Sequence, residues 1–93
     1  MREYELTLIL KSDLGDDGLT GATERIKGWI VGGGGEVTNV INAGRKRLAY
    51  TVSHVRDGSY VVMQFRSRPE ALPEVERSLR LSDDVLRHMF IRR

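Results

Sequence analysis

Residues 2 to 11 alternate strictly, with Tyr4, Leu6, Leu8 and Leu10 on one side and Glu3, Glu5, Thr7, Ile9 and Lys11 on the other. A period of two with one apolar side is the pattern of a strand that covers a core with one face only. A ten-residue strand of this kind needs other elements to bury its apolar side, so the rest of the chain is constrained to provide them. Helices and further strands are legible in that role.

Lys11 to Gly18 carries Ser, Asp and Gly punctuation, and Asp16 and Asp17 fall where acids favour the positive end of a helix. Leu19, Ala22, Ile26, Trp29 and Ile30 then follow helical spacing and form one apolar stripe, while Thr20, Glu24, Arg25 and Lys27 lie off it. Gly21 and Gly28 each weaken such a helix by about 1 kcal/mol relative to alanine, so it depends on packing. The run Gly32 to Gly35 supplies a helix stop. A phosphate-cradling loop is the sharper reading of four glycines, but the Lys-Ser/Thr of a P-loop is missing and the run follows a helix.

Residues 36 to 52 read as one long strand or a bent pair, with Val37, Val40 and Ile41 before Gly44 and Leu48, Tyr50 and Val52 after it. The change of phase between Val40 and Ile41 predicts a bulge, and Gly44 a bend. Residues 53 to 58 form a polar turn closing on Asp57-Gly58, a hairpin signal. Residues 59 to 67 are the next strand, with Val61, Met63 and Phe65 inward. Pro69 and Pro73 bracket the start of a second helix, where missing amides are tolerated, and Leu72, Val75 and Leu79 form its stripe. After the turn Leu81-Ser82-Asp83-Asp84, a last strand alternates Val85, Arg87, Met89 and Ile91 against Leu86, His88 and Phe90.

Strand, helix, strand, strand, helix, strand is the order of the α+β, ferredoxin-like split βαβ arrangement: a four-stranded antiparallel sheet with two helices on one face. Ninety-three residues fit a single domain, 1–93, without an internal boundary. No apolar run approaches the length of a membrane span, and no leader-like segment opens the chain, so a cytoplasmic protein without membrane contact is expected. The absence of cysteine removes disulfides and thiolate ligands.

Net charge is only +2, but it is unevenly placed: acids predominate before residue 44 and cations after it. The most concentrated cations are Arg45, Lys46 and Arg47, followed by the apolar residues Leu48 and Tyr50. A packed interior does not accept three adjacent cations, so they face water, where they block edge pairing, or they face a polyanion. Arg2, Arg87, Arg92 and Arg93 tilt the balance towards a polyanion, because the first and last strands of this topology are neighbours and bring the two chain ends together. Cations of this kind recognise phosphate oxygens without base specificity. Stacking of RNA bases on Tyr4 or Tyr60 is disfavoured, since the Lys/Arg-Gly-Phe/Tyr motif is absent and Tyr4 shares parity with the leucines.

No catalytic constellation stands out. His54 and His88 lack partners at metal-ligand spacing, and Asp16-Asp17 and Asp83-Asp84 sit at element boundaries as caps or turn formers. Acyl phosphate hydrolases of the same fold use an arginine-bearing loop after the first strand. Here that loop is Ser12-Asp13-Leu14-Gly15-Asp16-Asp17, which repels phosphate. The expectation is a protein that is not an enzyme, with no metal, cofactor or small-molecule substrate.

Three blocks, Met1-Arg2-Glu3-Tyr4-Glu5, Gly44-Arg45-Lys46-Arg47-Leu48-Ala49-Tyr50-Thr51-Val52 and Leu79-Arg80-Leu81-Ser82-Asp83-Asp84-Val85-Leu86-Arg87-His88-Met89, resemble in order and spacing the family of ribosomal protein S six of the bacterial small subunit. Thr51 stands where such proteins often carry proline, and Ala43 where they carry a bulky residue. The resemblance implies a structural constituent of the small ribosomal subunit that binds the central domain of 16S ribosomal RNA together with ribosomal protein S eighteen, a small basic partner. It implies RNA contact by Arg2, Arg87, Arg92 and Arg93, and RNA or partner contact by Arg45, Lys46, Arg47, Leu48 and Tyr50. The alternative from another class is a regulatory ligand-binding or oligomerisation domain of the same topology. Replacing Arg45, Lys46 and Arg47 together by alanine is expected to leave the melting temperature nearly unchanged, at less than about 0.5 kcal/mol per exposed side chain, while incorporation into ribosomal particles is lost. Loss of cooperative unfolding in that variant would show the side chains to be structural.

Overall fold

A computed structural model describes residues 1–52 and 55–93, and the side chains of these except Ser12, residues 45–52 and residues 55–57. The elements are β1 (Arg2–Lys11), α1 (Gly15–Gly32), β2 (Glu36–Val52), β3 (Val55–Ser67), α2 (Leu72–Leu81) and β4 (Val85–Arg92), with short 3-10 turns at Ser12–Leu14 and Pro69–Ala71. The sheet order is β2-β3-β1-β4, antiparallel throughout, which is the ferredoxin-like arrangement expected from the element order. No helix among the described residues is long and apolar enough to cross a membrane.

The period of two in β1 becomes the floor of the core. Tyr4, Leu6, Leu8 and Leu10 are buried and meet Phe65, Met63, Val61 and Ser59 of β3 across the ladder. Over them lie Ala22, Ile26 and Ile30 of α1 and Val75 and Leu79 of α2, with Leu19, Trp29 and Leu72 packed at the margin. Both helices therefore share one face of the sheet, and truncating one of these leucines to alanine costs about 2–5 kcal/mol. The Arg25–Asp84 ion pair, 3.2 Å long, ties α1 to the turn before β4. Partly exposed, it adds no more than about 1 kcal/mol.

Three local expectations change. Val40 and Ile41 pair regularly with Met63 and Val62, one residue towards the helices and one away, so there is no bulge between them. The register instead shifts between Val37 and Asn39 and between Asn42 and Gly44, where one extra residue on β2 is left without a partner on β3. Gly44 follows the second shift with a φ of 89°, its amide donating to Asn42 Oδ1 at 2.9 Å. Asp57-Gly58 does not close the hairpin: Asp57 and Gly58 face Arg47 and Lys46 along the ladder, and Gly58 also faces Lys11. Pairing on both sides holds Gly58 extended and overrides its turn preference. Val52 pairs with Val55, and Ser53 and His54 lie outside the described residues. In β4 a register shift opposite Ile9 and Leu10 sets Val85 against Leu10. Val85 therefore joins His88 and Phe90 on the helix side instead of Arg87, Met89 and Ile91.

The glycine run closes α1 as a helix stop. A Cβ on Gly35 would stand 2.9 Å from both Arg66 O and Ile30 Cγ2, whereas one on Gly28 would meet nothing within 4 Å. The two sites should respond oppositely to alanine. Gly28→Ala is expected to stabilise by about 0.5–1 kcal/mol through helix propensity, and Gly35→Ala to destabilise by about 1–3 kcal/mol because the backbone must move. Urea unfolding midpoints of the two variants check this, and a shift of the same sign in both would contradict the packing described.

Candidate nucleic-acid interface

Because β1 lies between β3 and β4, its start is met by the ends of both. Arg2 faces Ser67, Tyr4 faces Arg92, and the Arg93 amide donates to Glu3 O at 3.0 Å. Arg2, Arg92 and Arg93, distant in sequence, thus share one end of the sheet, as the topology requires. All three are exposed, and no carboxylate of a described residue lies within ion-pair distance of them. Unpaired guanidinium groups at a rim are available to phosphate.

Arg87 is not part of that rim. It faces Ile9, five residues further along β1 than Tyr4, which at about 3.4 Å per residue is about 17 Å away. It lies on the side of the sheet opposite the helices, lining with Thr7, Ile9, Tyr60, His88 and Met89 a shallow depression of about 220 Å³. The backbone of Arg45, Lys46 and Arg47 runs along β2, an edge strand, opposite Ser59, Gly58 and Asp57. The side chains of Arg45, Lys46, Arg47, Leu48 and Tyr50 lie outside the described residues.

Tyr4 is buried, its ring stacked on Phe65 with centroids 5.6 Å apart, so it offers no face to a base. His88 Nε2 lies 3.5 Å from Glu76 Oε1, which also accepts from Arg80 at 3.3 Å. Among the described residues there is no group of three or more side chains able to hold a metal ion. Two arginines escape a reading by sequence, Arg66 and Arg68 at the end of β3. The signal that finds them is topological: the end of a strand antiparallel to the first must lie beside Arg2.

The open face of the sheet, away from the helices, has a different character. Its rows run Glu36, Arg66, Glu3, then Asn39, Gln64, Glu5, Ile91, then Ile41, Val62, Thr7, Met89, then Gly44, Tyr60, Ile9, Arg87. Three carboxylates stand near one end and an apolar band crosses the middle, where Ile41, Met89 and Ile91 are exposed. Phosphate is disfavoured beside those carboxylates, while an apolar and cationic protein surface is favoured.

The chain and its fold are similar to those of known proteins. Residues 3–92 match the family model described as Ribosomal protein S6. The chain is 44% identical to the small ribosomal subunit protein bS6 of Carboxydothermus hydrogenoformans, over 99% of this chain and 96% of that protein. It is 42% identical to the protein of the same name from Caldanaerobacter subterraneus, over 99% and 97%. The crystal structure of 30S ribosomal protein S6 from Thermotoga maritima matches with a TM-score of 0.93 at 27% identity, over 99% of this chain and 87% of that one.

Proposed function

The chain belongs to the ribosomal protein S6 family, and from that premise we propose that it serves the small ribosomal subunit as a structural protein, not an enzyme, by binding the central domain of 16S ribosomal RNA together with ribosomal protein S eighteen. The observation that carries the RNA part is the convergence of unpaired Arg2, Arg92 and Arg93 at one end of the sheet. Their contacts go to phosphate oxygens, which position the protein without reading sequence. Work of this kind places it in the cytoplasm, on the ribosome.

The protein partner is assigned to the open face. A small basic protein is drawn by Glu3, Glu5 and Glu36 and can cover the band of Ile41, Val62, Met89 and Ile91. The edge strand β2, with Arg45, Lys46, Arg47, Leu48 and Tyr50, continues this surface laterally and can take further contacts from the partner or the RNA. Two surfaces of different chemistry on one small domain suit a protein that joins RNA and a second protein in one complex.

With a net charge of +2 and few rim cations, this chain alone is expected to bind RNA weakly and with strong salt dependence, since each phosphate contact adds about 0.7–0.9 to the logarithmic salt slope. Binding should tighten once the basic partner is docked. Isothermal titration with a central-domain RNA fragment, with and without S eighteen and at two salt concentrations, measures this. Equal affinity with and without the partner would sink the joint-binding reading. Met89→Lys, which sets a like charge against a basic partner, is expected to weaken S eighteen binding by about tenfold or more with little change in melting temperature. Unchanged partner affinity in that variant would remove the open face from the interface.

A further inference from the structure

Arg68 lies between β3 and the Pro69–Ala71 turn, with extended backbone at φ −75° and ψ 140°. Its Nη2 atom stands 3.5 Å from where a Cβ on Gly34 would be, and Gly34 has a φ of +89°. The guanidinium therefore lies close over a side-chain-free turn at the end of α1. The amides of Gly33, Gly34 and Gly35 already donate to Trp29 O, Val31 O and Ile30 O at 3.2, 2.9 and 3.0 Å. The turn thus has none of these amides left for an anion, and four glycines do not make a phosphate loop here. What the turn supplies is bare space and the carbonyl end of α1, whose partial negative charge favours a cation. Arg68 is held there without being neutralised, since no carboxylate of a described residue pairs with it.

The register places this cation at the arginine rim. Ser67, the residue before Arg68, faces Arg2 on β1, and on the other side of β1 Arg92 faces Tyr4. At about 4.8 Å between strands, the backbones that carry Arg68, Arg2 and Arg92 span about 10 Å from β3 to β4, and the Arg68 guanidinium leans further out, to the Gly34 turn that leads into β2. Arg66 differs: its row holds Glu36 and Glu3 on either side, so acid flanks it on two strands, although no ion pair joins it to either. A polyanion meets uncompensated charge at Arg68 and meets acid at Arg66.

We infer that Arg68, laid against the Gly34 turn, is a phosphate-binding cation of the same rim as Arg2 and Arg92, its ligand the sugar-phosphate backbone of RNA. This rests on the RNA reading proposed above. The guanidinium is thus a neighbour of Gly34, whose φ of +89° is what calls for glycine there, and a Cβ at that position would stand in van der Waals contact with it.

The test is a salt series of binding to a 16S central-domain fragment, with S eighteen present, for the wild type, Arg68→Ala, Arg68→Gln, Arg77→Ala and the pair Arg2→Ala with Arg92→Ala. Arg77 is exposed on α2 without an ion pair and controls for the loss of one charge anywhere. Both Arg68 variants are expected to keep the wild-type melting temperature, to bind more weakly, and to lower the logarithmic salt slope by about 0.7–0.9, while Arg77→Ala changes neither affinity nor slope. Equal slopes in wild type and the Arg68 variants, or an equal loss in Arg77→Ala, overturns the inference. Loss in the Arg2 and Arg92 pair without loss at Arg68 removes Arg68 alone, whereas no loss in either removes the RNA reading of the rim as well.

Discussion

The antiparallel pairing of β1 with β3 on one side and β4 on the other governs the molecule. β1 carries four buried side chains, Tyr4, Leu6, Leu8 and Leu10, and its position inside the sheet lets them meet neighbours from both flanking strands as well as from both helices. Slipping its register by one residue would turn those side chains to water and bring Glu3, Glu5 and Lys11 into the core, which is prohibitive for charged groups. The register is therefore tightly fixed. Because it is fixed, so is the meeting of Arg2 with the ends of β3 and β4.

From that constraint follows a division of labour between surfaces. The end of the sheet collects arginines because three strand termini coincide there. The open face collects whatever occupies the outward parity of β1, β3 and β4, which is acidic near the rim and apolar across the middle. In the function proposed above, RNA and a basic protein would be recognised by opposite charge, and the two surfaces of this small fold differ in that respect. Burying Tyr4 against Phe65 removes the aromatic that a base-stacking sheet would need on its first strand, which is why the RNA contact proposed above is made to phosphate.

The elements themselves were largely legible, because each carries a strong local period. The stripe of Ala22, Ile26 and Ile30, the inward triplet Val61, Met63 and Phe65, and the stripe of Val75 and Leu79 are all buried as their spacing predicts. Local signals failed where long-range pairing outweighed them. Asp57-Gly58 has a turn's composition but is extended between strands, and the apparent slip at Val40 and Ile41 is ordinary alternation between bulges at neighbouring positions. The pairing of first and last strands grouped Arg87 with Arg2, Arg92 and Arg93, but it does not fix the position along the strand. In a strand, five residues carry a side chain about 17 Å away, and the pleat turns it to the open face.

The sequence by itself determined the order of the elements, the apolar side of each, the closeness of the chain's two ends and the family to which the protein belongs, since all of these rest on residue type at short spacing. Tertiary structure alone decided which cations stand together. Arg68 lies near Arg2 only because β3 runs antiparallel to β1, and its guanidinium lies beside Gly34, more than thirty residues earlier, at a turn whose amides are already spent. Arg66, two residues away from it, stands between glutamates of two other strands. Charge is a property of the residue, but availability to a ligand depends on what the fold sets beside it, and no local pattern encodes that.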